Sequence, residues 1–101
     1  MFEFEIVQVS LSATIHLKGS LSLKDTSQLK AEIKNLLGTE TTEIIFDFKH
    51  LSYLDSSGMS ILLHTYTWGK EKGKTVRIIN VSNEVKTIFA VANLLQTFSI
   101  S

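Results

Sequence analysis

Residues 43–48, EIIFDF, form a nearly continuous apolar run. The period then changes to that of a helix, with Met59, Leu62, Leu63 and Tyr66 on one stripe. A run this short and this apolar reads as a strand covered on both faces. Strand followed by helix calls for a mainly parallel sheet with helical cover.

The rest of the chain repeats the alternation. Phe2, Phe4 and Ile6 alternate with Glu3 and Glu5, and a second alternation, Ala13, Ile15 and Leu17, ends at Gly19. A hairpin is the simplest pairing of these two strands. In KDTSQLKAEIKNLLG, Asp25 is placed to cap a helix, with Gln28 as its capping-box partner. Leu29, Ile33, Leu36 and Leu37 make the buried stripe, and Gly38 sits just past the end. TVRII reads as a buried strand, and Val85, Ile88, Phe89 and Ala92 mark a third helix. The tail alternates at Phe98 and Ile100 and reads as a short last strand. The expected order is ββαβαβαβ, a mixed, mainly parallel sheet in one α/β domain spanning residues 1–101.

Composition narrows the function. The 101 residues suit a single domain. There are no cysteines, which excludes disulfides and thiolate metal sites and favours a cytoplasmic protein. Ten basic residues balance ten acidic ones, without the basic excess of a nucleic-acid footprint. The N-terminus carries acids where a signal peptide needs bases, and no apolar stretch approaches the ~20 residues of a membrane span. The three histidines show no metal-ligand spacing, and no cofactor fingerprint is present.

Chemistry concentrates in YLDSSG, residues 53–58, at the carboxyl end of a strand, where ligands and partners gather in such sheets. On a helical wheel Ser57 falls roughly 170° from the core direction, Ser56 roughly 70°, and Asp55 inward. Asp55 or Ser56 is thus placed to cap, Ser57 to face outward, and Gly58 to open the backbone to a partner. Ile61, His64 and Trp68 share the stripe of Ser57, which reads as a docking face or as a surface packed on a neighbouring helix. A serine nucleophile needs a base within hydrogen-bond reach, and His64 is about 10 Å along the helix. The nucleophile elbow G-x-S-x-G is absent. A binding module is expected, not an enzyme. Asp47, between two phenylalanines, is expected to be hydrogen-bonded near the strand end.

The stretch IIFDFKHLSYLDSSGMSILL, with Gly19 and VRIINVSNEVKTIF, resembles the STAS-domain anti-sigma factor antagonists across nearly the whole chain. The resemblance implies partner switching in transcription regulation, of the kind used in bacterial stress responses. The antagonist binds an anti-sigma factor that is also a serine kinase and frees the sigma factor. Phosphorylation of the serine before the glycine, here Ser57, breaks the complex, and a metal-dependent serine phosphatase restores it. The implied partner surface comprises Asp55, Ser56, Ser57, Gly58, Ile61, His64, Trp68 and Ser22. ATP belongs to the kinase, so no cofactor is implied. Two departures stand out: GSLS puts Ser22 where the family often has an acid, and the family's final helix is expected to be missing, which would uncover one sheet face or helix groove and invite dimerisation or a different partner surface. The alternative within the same family is a STAS adaptor in a signalling scaffold or on a membrane transporter, without phosphorylation.

Overall fold

In the computed structural model, which describes residues 1–98, the alternating N-terminal segments pair as expected. Strands β1 (Phe2–Val9) and β2 (Ser12–Leu21) form an antiparallel hairpin closed at Val9↔Ser12. Ser10, at φ 55, turns the chain. Gly19 has φ +92, and a Cβ there would lie 2.0 Å from the Met1 carbonyl oxygen, which accepts the Ser20 N–H at 3.2 Å. Only glycine permits both that conformation and that approach.

Helix α1 (Leu23–Leu37) carries the chain to β3 (Glu43–Leu54), and α2 (Ser56–Glu71) carries it to β4 (Thr75–Ile79). Both crossovers join parallel neighbours, so the sheet order is β1-β2-β3-β4. Helix α3 (Asn83–Val91) follows β4. Among the described residues the order is therefore ββαβαβα. The tail departs from the expected strand: Leu95–Phe98 form turns, and Ile100 lies outside the described residues. Phe98 is buried, its ring 5.7 Å from Phe89 and 5.5 Å from Tyr66. An aromatic cluster, not strand pairing, holds it.

Register shows which faces are covered, because paired residues share a face of the pleated sheet. Ala13, Ile44 and Val76 lie on one face with Ile15, Phe46 and Ile78, and the core forms there. Helix α2 reaches this face where Gly69 meets Val76, and α3 does so where Phe89 meets Phe48 at 6.0 Å. The α1 stripe Leu29, Ile33, Leu36 and Leu37 is buried as expected. The other face is polar, carrying Ser12, Thr14, His16, Glu43, Asp47 and Arg77. The expectation that β3 is covered on both faces is thus corrected. Ile45 is only 9% exposed without helical cover, because it lies between flanking strands. Nearby, Arg77 Nε donates to Glu43 across 3.0 Å.

Asp47 anchors that polar face. His16 Nδ1 lies 2.8 Å from its carboxylate, Asn80 Nδ2 donates at 2.9 Å, and the Lys49 N–H donates at 3.0 Å. Burial works against the charged form, but these hydrogen bonds and the nearby histidine charge outweigh it and hold the carboxyl below its ordinary range. The bond to Asn80, at φ 59, also fixes the exit from β4. A depressed folded-state pKa gives stability that is full above the unfolded value, near pH 4, and lost as pH falls through the folded value. Asp47→Asn should therefore cost about 1–3 kcal/mol in urea unfolding at pH 7, and the gap to wild type should narrow at pH 3.

Candidate functional site

The end of β2 and the end of β3 together build the site. Leu21 pairs with Leu54, and the Leu21 carbonyl accepts the Asp55 N–H at 3.1 Å. Asp55 has extended backbone and is the N-cap of α2, its carboxylate accepting the Gly58 N–H at 2.9 Å. This satisfies one of the free donors at the helix start. Gly58 is buried, and a Cβ there would meet the Leu21 side chain at 2.9 Å and the Leu21 carbonyl oxygen at 3.1 Å. Its role is close approach to β2, which corrects the expectation that it opens the backbone to a partner.

Ser22 begins α1. It is the N-cap, its N–H and hydroxyl lying 3.3 and 3.1 Å from the Asp25 carboxylate. Asp25 is therefore the reciprocal partner within the first turn rather than the cap, and Gln28 has no part in the box.

The two adjacent serines face different surroundings. Ser56 is exposed, whereas Ser57 is half-buried in a cleft of about 290 Å³ between α1 and α2. The wheel placed Ser57 fully outward, and the structure corrects this. The helices start side by side at the ends of neighbouring strands, so one flank of α2 faces α1 rather than solvent. Ile61, on that flank, is only 5% exposed and belongs to the core. His64 is exposed and Trp68 half-buried, their rings 5.4 Å apart. Lys30 and Lys34 of α1 place their ammonium groups 5.7 and 5.5 Å from the Trp68 ring centroid, within cation–π range. The stripe is largely an α1–α2 interface with a charged rim, not a free docking face.

The structure brings Asp55, Ser56, Ser57 and Gly58 together at the head of α2, with Ser22 beside them through Leu21. His64 lies further along the same cleft, and Trp68 follows one turn later on α2. Sequence reasoning missed Ser27, Lys30 and Lys34, although the i, i+4 spacing of the lysines puts both on one face of α1. It also missed a second, apolar groove of about 490 Å³ between α2 and α3. Tyr53, Met59, Leu63, Ile88 and Val91 line this groove, and Ser56 sits among them.

Fold and site define a small α/β module that presents a capped D-S-S-G turn after its third strand. A family model described as "Mlab, STAS domain" matches residues 6–98, and the chain belongs to the STAS-domain family. The anti-sigma factor antagonist SpoIIAA in its unphosphorylated form is similar at 26% identity, with a TM-score of 0.83 over 91% of this chain and 82% of that one. SpoIIAA, described as a Bacillus cell fate determinant, matches in its phosphorylated form at 24% identity and TM-score 0.78, over 95% of this chain and 87% of that one. A sulfate transporter family protein from Wolinella succinogenes matches at 14% identity and TM-score 0.78, over 91% of this chain and 75% of that one. At their identities the last two likenesses speak to the fold alone. Among the described residues no helix is long and apolar enough to cross a membrane.

Gly58→Val should force α2 away from Leu21. The expected cost is about 1–3 kcal/mol, read as a lower melting temperature. Retention of the wild-type value would show that the approach is not tight.

Proposed function

We propose that this chain is an anti-sigma factor antagonist, a cytoplasmic binding module rather than an enzyme, switched off by phosphorylation of Ser57. The observation that carries this reading is the likeness to SpoIIAA, 26% identical over 91% of the chain, together with Asp55-Ser56-Ser57-Gly58 at the head of α2. The unmodified protein docks a kinase-type anti-sigma factor through the α2 head and releases the sigma factor. The kinase then transfers the terminal phosphoryl group of ATP to Ser57 Oγ, which gives up its proton, and ADP leaves. About −1.5 to −2 charges are added where the partner packs. That charge must be desolvated or left unpaired in the complex, so the complex dissociates. A metal-dependent serine phosphatase restores the hydroxyl.

Placement of the histidines supports the non-enzymatic part. His16 is committed to Asp47 on the helix-free face of the sheet. His64 stands seven residues beyond Ser57 on α2, about 10 Å along the helix axis, which exceeds the hydrogen-bond reach an activating base needs.

The test uses Ser57→Ala and Ser57→Asp as baits, side by side, in pulldowns from the source cell. Binding of each to the captured kinase-type partner is then measured by calorimetry. Ser57→Ala should bind like wild type and resist modification by that partner and ATP in mass spectrometry. Ser57→Asp should bind at least about tenfold more weakly, a loss of roughly 1.4 kcal/mol. Equal binding by both would remove the charge mechanism.

A second reading, a STAS adaptor on a transporter or scaffold, draws on the likeness to the sulfate transporter family protein. It predicts a stable complex indifferent to Ser57→Asp and no modified serine.

A further inference from the structure

The cleft that holds Ser57 carries positive charge without an acidic lining. Besides Ser57, its walls include Ser27 and Lys30 of α1 and Ser60, Ile61 and His64 of α2. Among the described residues no carboxylate lines it. Asp55 and Asp25, at the starts of α2 and α1, are engaged elsewhere, Asp55 with the Gly58 N–H and Asp25 with Ser22. The ion pairs among the described residues are His16–Asp47 and Arg77–Glu43, both on the far face of the sheet. Lys30 therefore has no carboxylate partner there. Its ammonium rests over the face of Trp68, beside that of Lys34. Two cations on one indole repel each other, and a lysine held only by a partly exposed cation–π contact moves at little cost.

We infer that a phosphate on Ser57 is held by this chain's own α1–α2 cleft, with Lys30 leaving Trp68 to become its counter-ion. The inference rests on the reading that Ser57 is the modified residue and goes on to say what the modified state does. The phosphate gains the hydroxyls of Ser27 and Ser60 as donors, the positive end of α2 beneath it, and the charge of Lys30. Lys34 stays on the indole. The off state is then a rearranged α1–α2 surface as well as an added charge. Trp68, remote from the serine along α2, changes with it.

Trp68 is the chain's only tryptophan, so its emission reports the departure of a cation from its ring. The experiment places phosphoserine at position 57 by genetic encoding in the full chain and compares it with the unmodified protein. Phosphorylation should change the intensity and position of Trp68 emission, and high salt should weaken the change. Lys30→Gln should abolish the phosphate response, and Lys30→Arg should keep it. In thermal melts the phosphate should cost Lys30→Gln about 3 °C more than wild type, the size expected for one partly exposed charge pair in a domain of this length. An emission unchanged by phosphorylation, or a response and melting cost equal in wild type and Lys30→Gln, would overturn the inference. Encoded phosphoserine needs no kinase, so the two readings fail separately. A silent Trp68 removes cis-binding while leaving partner switching intact, and a Ser57 that no kinase modifies does the reverse.

Discussion

Leu21 is the contact on which the site depends. Its side chain is fully buried, its carbonyl oxygen holds the Asp55 N–H, and its flank fills the space left by the missing Cβ of Gly58. The next residue, Ser22, caps α1. One position at the end of β2 therefore sets where both helices begin and how closely they run. The α1–α2 cleft is the consequence, and so is the half-burial of Ser57. Capping and backbone pairing fix the head of α2 to the sheet rather than to a loop, which gives its serines defined directions.

The two serines show what such precision does for recognition. Ser57 faces a cleft that carries the Lys30 charge on its α1 wall, and Ser56 borders an apolar groove shared with α3. A partner seated over the α2 head meets both surfaces at once. Under the proposed function, one flank would supply apolar contact area while the other responds to charge, which would divide affinity and control between adjacent residues.

Much of this was legible in the sequence. Period-2 and period-3.6 patterns placed the hairpin, the three helices and the central strand, and they narrowed the cap of α2 to Asp55 or Ser56, of which the structure selects Asp55. Asp47 could be expected to hydrogen-bond because an acid between two buried phenylalanines must be satisfied. The errors have a common cause. A helical wheel referenced to one core direction treats the helix as packed on a sheet alone. Ile61 then looks exposed, although a second helix lies beside it. Lys30 was missed for the same reason, since its partner Trp68 is distant in sequence. The start of α1 was misread because Asp25 suits either cap or partner, and only the backbone distinguishes them. Ile45 shows the converse error: an apolar residue buried by neighbouring strands mimics one buried by a helix.

The pairing of β2 with β3 has a further consequence for when the serine can be read. Beyond Asp47, β3 extends past β4 and pairs with β2 alone, through Lys18↔His50 to Leu21↔Leu54, with two register shifts on the way. Those partners are joined only by the long path through α1, so their meeting is a non-local event that comes at the cost of closing that loop. The Leu21 carbonyl is in place for Asp55 only after the loop has closed. An unfinished or frayed chain therefore contains the same D-S-S-G letters without the shape. Under the proposed function, a kinase that recognises the capped turn would meet it only in chains whose β2 and β3 have already paired.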